Sequence, residues 1–390
     1  MDLGQVFEVF WIFLRLGLTS FGGPIAHLGY FREEFVNKRK WFDDPSYADV
    51  VALCQFLPGP ASSQVGISIG LSRAGIPGAI AAWLGFTLPS AVVLVAFAFG
   101  ISIYNESLSA GWLHGLKVVA VAIVAQAIWG MAKSLTPDFR RVLIALGSAG
   151  LAILFPTAMG QMGVIVLGAI LGLIFIQGIA IPPQTPIRIP LSRRAGIVSL
   201  VIFASLLVAL PFWGSGHENV KIIDSFFRTG SLVFGGGHVV LPLLKSEIVN
   251  NGWVSSDAFM AGYGAVQAVP GPLFTFAAYL GAMLNTELTG WIGAGVCLLA
   301  VFLPSFLIVF GVLPFWEKLR QIQKMRFAVA GINASVVGLL MAAFYNPVWT
   351  SAIFSVKDFV FALGCFILLM FLKAPSWAVV ILGAIVGGLL

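Results

Sequence analysis

The sequence predicts an all-α polytopic membrane protein: two inverted-topology repeats with broken or re-entrant helices, plus one linking transmembrane helix. Three observations carry that prediction. The first is composition. Of 390 residues, 59% are apolar and only 10% are Asp, Glu, Lys or Arg, where soluble domains carry roughly 25% charge. Mean hydropathy is +0.99, and apolar runs of 17 or more residues recur, each long enough for ~30 Å of hydrocarbon. A globular surface and a disordered chain are both excluded.

The second observation is internal repetition. Arg15-Leu16-Gly17-Leu18-Thr19-Ser20-Phe21-Gly22-Gly23 returns as Arg228-Thr229-Gly230-Ser231-Leu232-Val233-Phe234-Gly235-Gly236, 213 residues later. Arg32 and Glu34 match Lys245 and Glu247, and Trp41 matches Trp253. Gln55-x-x-Pro58-Gly59-Pro60 matches Gln267-x-x-Pro270-Gly271-Pro272, and Leu88-Pro89-Ser90 matches Leu303-Pro304-Ser305. Chance does not deliver these in order at nearly one offset. The chain divides into a first repeat over 1–177, a linker with one transmembrane helix at about 197–212 inside 178–219, and a second repeat over 220–390.

Loop charge is the third. Arg32, Lys38, Arg39 and Lys40 crowd the loop at 31–44, while its counterpart at 245–257 has Lys245 alone. The bias reverses further on, with Lys117 alone at 104–117 against Lys318, Arg320, Lys324 and Arg326 at 317–326. The positive-inside rule weighs Lys and Arg in short loops, so equivalent loops face opposite sides. Such inverted repeats are a common transporter architecture.

Taken in order, each repeat opens with an apolar run that ends at Phe21-Gly22-Gly23-Pro24, or at Phe234-Gly235-Gly236-Gly237, followed by an amphipathic stretch. Next comes an arm into Pro-Gly-Pro and an arm out of it, neither long enough to span at 1.5 Å per residue. Proline and glycine break helix continuity there. Backbone freed at membrane depth survives only inside protein or beside a wet cavity, so both regions are read as re-entrant hairpins. One broken spanning helix at Pro-Gly-Pro is the alternative, but it would place Arg73 and the 104–117 loop on the wrong sides. Spanning helices are expected near 76–103, 116–132, 142–155, 159–176, 290–311, 327–345, 356–372 and 376–390. The start lacks a basic n-region, so a cleaved signal peptide is not expected. Cys54, Cys297 and Cys365 are dispersed in apolar stretches, against a disulfide framework or a zinc site. The net charge of +6 sits in short loops and does not indicate nucleic acid.

Interrupted segments at equivalent places in inverted repeats point to binding. Half-helices that end inside the membrane aim N–H groups and a positive dipole end inward, which favours an anion. The candidate substrate contacts are Arg15, Gly22, Gly23, Gln55, Pro58, Gly59, Ser62 and Ser63. Their counterparts are Arg228, Gly235, Gly236, Gly237, Gln267, Gly271 and Thr275. Arginine inside an apolar run costs at least ~2.5 kcal/mol on insertion scales, and its planar fork suits tetrahedral oxyanions. A converging Arg15/Arg228 pair would match a dianion; snorkelling to headgroups is the plain alternative. Glu34, Glu247 and His238 are candidates for ion coupling, against surface pairing or a structural role. Asp49 has no acidic counterpart at Ala261 and is a weaker coupling candidate. Trp41 and Trp253 read as interfacial anchors. No metal site and no cofactor are expected.

Phe21-Gly22-Gly23-Pro24, Gln55-Phe56-Leu57-Pro58-Gly59-Pro60, Phe234-Gly235-Gly236-Gly237-His238 and Gln267-Ala268-Val269-Pro270-Gly271-Pro272 carry a family resemblance. With the duplicated layout, the sequence resembles the long-chain, two-domain chromate ion transporters over nearly its whole length. The resemblance implies a multi-pass protein of the bacterial inner membrane that exports chromate from the cytoplasm, with sulfate as a mimic. Coupling to the membrane potential or a proton gradient is commonly proposed for such proteins. Expected partners are thus an inorganic oxyanion (chromate, or sulfate), the lipid bilayer and a second copy in a homodimer, without nucleic acid. Competing readings are a transporter of sulfate or another oxyanion, and a passive anion channel lined by the same broken helices. A membrane-embedded enzyme fits poorly, since His27, His114, His217 and His238 form no metal spacing and no Ser/His/Asp set is evident.

Overall fold

A computed structural model describes residues 3–20, 23–104, 110–177, 191–214, 216–233, 240–319, 322–350 and 352–389. All regular structure among them is helical. The first repeat contains α1 (Leu3–Thr19), α2 (Gly23–Arg32), a π-helical turn (Glu33–Lys38), α3 (Asp44–Phe56), α4 (Ala61–Tyr104), α5 (Ala110–Leu135), α6 (Phe139–Leu154) and α7 (Ala158–Phe175). α8 (Arg193–Gly214) links the repeats, and its apolar side chains, among them Ile197, Val201, Val208 and Phe212, are exposed as a lipid-facing helix requires. The second repeat contains α9 (Glu218–Leu232), α10 (Val240–Leu244), a π-helical turn (Lys245–Val249), α11 (Ser256–Val266), a 3₁₀ turn (Leu273–Thr275) and α12 (Phe276–Ala282). It ends with α13 (Gly290–Val312), α14 (Trp316–Leu319), α15 (Gln323–Ala343), α16 (Val356–Met370) and α17 (Ser376–Leu389).

The duplication is visible element by element, down to the paired π-helical turns. α4 is not one rod. Ala74 and Gly75 leave helical geometry, with φ +65° at Gly75, and its counterpart Gly290 has φ +64°. Gly70 contacts Gly78 across this turn, as Gly281 contacts Gly293 in the second repeat. Eight residues along a continuous helix are ~12 Å apart, so the arms 61–73 and 76–104 fold back on each other. Only the second arm spans.

Both interrupted regions are re-entrant hairpins. α3 has 13 residues, about 20 Å, and the arm 61–73 matches it. A single broken spanning helix would hold the outer ends of these arms ~40 Å apart. Instead the Arg73 guanidinium lies 4.7 Å from the Trp41 ring centroid. In the second repeat the Asn285 N–H donates to the Trp253 carbonyl at 2.8 Å, and the Tyr279 hydroxyl donates to that of Ala258 at 2.8 Å. α1 and α2 form a second hairpin in which Arg39 reaches Glu8 at 3.1 Å, closed along its length by Phe13 against Phe31 and Phe35. Trp253 is buried at 4% exposure and its indole N–H donates to Glu218 at 3.0 Å. It staples the hairpin ends rather than anchoring at the lipid interface, as does Trp41 between Arg39 and Arg73.

Antiparallel packing of the two spanning arms fixes the relative orientation of the repeats. Phe99, near the end of the 76–104 arm, contacts Trp291 at the start of α13. Trp83 contacts Phe302 and Phe306 midway, and Trp316, just past α13, donates to Asp49 at 3.3 Å. The open ends of the first repeat's hairpins therefore lie at the face carrying Arg39 and Arg73, and those of the second repeat at the opposite face. The repeats are inverted, as loop charge predicts.

Distal helices are exchanged between repeats: α5 packs on α16 and α17, and α15 on α6 and α7. Gly111 and Gly115 meet Gly383 and Gly387, just as Gly331 meets Gly168 and Gly172. These small-residue seams let backbones touch, the usual means of joining helices where lipid removes the hydrophobic drive. Among the described residues, five helices are long and apolar enough to cross a membrane: Ala61–Ile101, through its arm beyond Gly75, His114–Lys133, Arg193–Gly214, Gly290–Phe315 and Gln323–Asn346. α6, α7, α16 and α17 also form where spans were expected, but at 14 to 18 residues they reach only ~21–27 Å. Tight pairing with α5 and α15 compensates for that short reach.

Cysteines placed singly at Lys38 and Asn251 in a Cys-free background should react with an impermeant maleimide from opposite membrane faces; labelling from one face would refute the inverted arrangement. Gly331→Leu should lower thermal stability by about 1–3 kcal/mol, the range for overpacked interiors, while Gly364→Leu, where a side chain meets open space, should leave the melting midpoint unchanged.

Candidate functional site

The inner ends of the hairpins, as far as they are described, meet where the repeats interlock. The Gly59 N–H donates to the Val233 carbonyl at 2.6 Å, and the Gly271 N–H donates to the Ser20 carbonyl at 3.0 Å. Ser20 and Val233 are equivalent positions, as are Gly59 and Gly271, so each Pro-Gly-Pro is bound by the first hairpin of the other repeat. Gly59 has φ +118° and Gly271 φ +100°, conformations that glycine alone adopts readily. A side chain would also collide: a Cβ on Gly59 would sit 2.8 Å from the Ser305 hydroxyl, and one on Gly271 2.9 Å from that of Ser90. Ser90 and Ser305 are themselves equivalent, from the Leu-Pro-Ser repeats, so this third motif completes the same pseudo-two-fold contact.

Helix N-termini converge on the interlock. α2 starts at Gly23 (φ +77°), where an added Cβ meets nothing within 4 Å. The arm 61–73 starts just after Pro60 and runs beside it. Buried His27 ties the two together: Nε2 lies 3.2 Å from the Ser20 carbonyl and Nδ1 3.3 Å from the Ser62 hydroxyl. The carbonyl can only accept, so Nε2 carries the proton and the Ser62 hydroxyl donates to Nδ1. Ser62 is thereby committed. Thr275 is committed too, donating to the Pro272 carbonyl at 2.7 Å, and Gln64 donates to the Pro58 carbonyl at 2.6 Å. Neither Ser62 nor Thr275 has a hydroxyl proton to spare for an anion.

Other donors remain free. The hydroxyls of Ser20, Ser63, Thr87 and Ser305 and the side-chain amide nitrogen of Gln267 are buried without a protein partner. Buried polar atoms are nearly always satisfied, so these free donors are candidates to meet a polar ligand or solvent. Sequence reading weighed Ser63 and Gln267 but passed over Ser20, Thr87 and Ser305. The signal for Ser305 was present, since its Leu-Pro-Ser motif repeats. Ser20 and Thr87 carried none, because their matched positions are Val233 and Phe302. Gln55 is exposed where Gln267 is buried, so equivalence in sequence does not extend to environment. Gly22, Gly235, Gly236, Gly237 and His238 lie outside the described residues.

The expectation that Arg15 and Arg228 converge does not hold. Each stands five residues before its apex residue, about 7.5 Å along its helix, and inversion puts them on opposite sides of the interlock. Each guanidinium also has a carboxylate partner. Arg15 donates to Glu34 at 2.6 Å with its side chain 59% exposed, and Arg228 pairs with Asp224 one turn back. Glu34 also accepts from Arg39 at 2.8 Å, and Glu8 accepts from Arg39 and Arg73 at 3.1 Å each. An alternating chain Arg73–Glu8–Arg39–Glu34–Arg15 thus closes the open ends of the first repeat's hairpins. Glu247, the partner position of Glu34, instead accepts from Ser225 at 2.9 Å. Among the described residues no group of His, Cys, Asp and Glu could hold a metal ion.

The family described as chromate transporter matches residues 7–173 and 220–388. An uncharacterized transporter of Methanocaldococcus jannaschii is 28% identical over 86% of this chain and 82% of its own length. A chromate transport protein of Pseudomonas aeruginosa is 26% identical over 86% of this chain and 79% of its own. One of Cupriavidus metallidurans is 24% identical over 97% of this chain and 91% of its own. No solved structure matches.

Glu34 is 6% exposed between two guanidinium groups. Removing one member of a buried ion pair costs about 3–5 kcal/mol, whereas an exposed pair is worth roughly 0–1. Glu34→Gln should therefore lower the unfolding midpoint clearly and Glu8→Gln little, as read by thermal unfolding in detergent.

Proposed function

The chain belongs to the chromate transporter family, and on that premise we propose that it is a secondary transporter exporting chromate, a tetrahedral divalent oxyanion, across the bacterial inner membrane. The observation that carries this reading is the reciprocal interlock, with two inverted repeats closing on unwound backbone amid donors that lack protein partners. Buried hydroxyls, a side-chain amide and helix N-termini supply N–H and O–H groups with no nearby carboxylate committed to them, which suits an acceptor-only guest. The substrate contacts are assigned to Gly23, Gly59, Ser63, Ser305 and Gln267, and from the repeated sequence motif also to Gly22 and Gly235–Gly237. Arg15 and Arg228 hold the hairpins in position rather than touching the anion. Inverted repeats support alternating access, with one hairpin set rocking against the other around a fixed site. The first repeat's open ends are assigned to the cytoplasm, a reading supported by their basic loops. Ion coupling is assigned to the carboxylates at the hairpin ends, Glu34 and Glu247, with His238.

Accumulation of chromate in everted membrane vesicles tests this directly, since export in the cell becomes uptake there. A hydrogen bond to a charged group is worth about 1.5–3 kcal/mol, so Ser63→Ala or Ser305→Ala should raise the half-saturating chromate concentration at least ~10-fold. Gly59→Ala should abolish uptake. Uptake that survives collapse of all ion gradients would identify a passive channel. Stronger use of sulfate than of chromate in competition would make another oxyanion the true cargo.

A further inference from the structure

The face opposite the basic loops carries a cavity of about 260 Å³ between the first repeat's α6 and α7, the second repeat's π-helical turn at Lys245–Val249, and the end of α15 with the π-helical turn that follows it at Phe344–Trp349. Its polar wall is Gln161, Lys245, Ser246, Asn250 and Asn346. We propose that this cavity is a second tetrahedral-oxyanion site, distinct from the interlock, with Lys245 as its charge.

Charge balance points there first. Lys245 is half-buried, and its one polar contact is the side-chain oxygen of Asn346 at 3.2 Å. No carboxylate lies within ion-pair distance of it among the described residues; Glu247, two residues on, is bonded to Ser225. A cation drawn out of water needs a counter-charge, and the described residues supply none. The repeat provides an internal control. Arg32, at the matched position, is held by Asp44 at 2.7 Å, and the residue matching Asp44 is Ser256. The second repeat has the cation without the acid, and a cavity opens beside it.

Donor chemistry agrees. The ammonium keeps two protons for a guest, and Asn250 and Asn346, each carrying a side-chain NH₂, line the same space. Gln161 is buried, spends an amide proton on the Pro242 carbonyl at 3.3 Å and leaves its amide oxygen without a partner. That acceptor is left for a water sharing the cavity with the anion. Size permits it, since a five-atom anion occupies a fraction of this volume. Naming the ligand an oxyanion rests on the transport reading above, and its position makes it a way-station at the far mouth of the transport path. The same chemistry is offered by a free anion and by the phosphate of a lipid headgroup.

Equilibrium binding of radiolabelled sulfate to the full-length protein in phosphatidylcholine nanodiscs tests the site without requiring transport. Wild type should bind two sulfates per chain. Lys245→Gln, which keeps a donor for Asn346, should lose one of them or weaken it at least 10-fold, and Lys245→Arg should retain it. Ser63→Ala should weaken the other site only. Added phosphatidylglycerol that displaces the Lys245-dependent sulfate would identify the headgroup as occupant, and failure to displace it the free ion; both outcomes keep the site. Equal stoichiometry and affinity in wild type and Lys245→Gln, with both proteins monodisperse, would overturn it even if transport is intact. Absent transport with Lys245-dependent binding retained would instead sink the transport reading alone.

Discussion

Two backbone hydrogen bonds hold the rest of this structure in place: Gly59 N–H to the Val233 carbonyl and Gly271 N–H to the Ser20 carbonyl. Inside a bilayer an amide released from a helix has no water to turn to and must find a protein partner. Each Pro-Gly-Pro releases one, and each first hairpin ends in a carbonyl with no helical partner. Within one repeat these groups do not meet. Inversion and antiparallel packing bring each to the other repeat's apex, so the breaks in one half are sustained by the other. The exchanged distal helices, α5 on α16 and α17 and α15 on α6 and α7, extend the same logic outward.

Symmetry is tightest at that centre and relaxes toward the open ends. A change at Gly59 or Ser305 alters the surroundings of its contact partner in the other repeat. The outer ends face different membrane surfaces and touch no equivalent partner, so they have diverged. The first repeat closes with an alternating chain of three arginines and two glutamates. The second uses Arg228 with Asp224, Glu247 with Ser225, and Trp253 with Glu218. Lys245 without an acid is one product of that drift. The inner part of the site follows the two-fold and the outer part does not, which gives the two membrane faces different electrostatics on one scaffold.

Much of the architecture was legible because it depends on statistics spread along the chain. Apolar length marks helices wherever they pack, and Lys and Arg bias in loops marks orientation through insertion rather than through final contacts. Proline and glycine act on the backbone locally, so the breaks could be placed to the residue. The re-entrant path over a single broken helix was legible only indirectly, through the sidedness of Arg73. Contact between Trp41 and Arg73 makes it definite.

Side-chain roles were legible only where no competitor existed. Ser62, Ser63 and Thr275 look alike in sequence, each a hydroxyl in the first turn after Pro-Gly-Pro, yet His27 claims the first, Pro272 the last, and only Ser63 stays free. Arg15 reads as a lone charge in an apolar run, but Glu34 folds back onto it. The sequence by itself determined the membrane setting, the duplication, the opposed orientation and the positions of the breaks, because each is encoded by composition or by neighbouring residues. Tertiary structure alone decided which donor meets which acceptor. Hydrogen bonds and ion pairs form between whichever groups lie within about 3 Å in space, and across an interlocked pair of repeats those groups belong to distant stretches of chain.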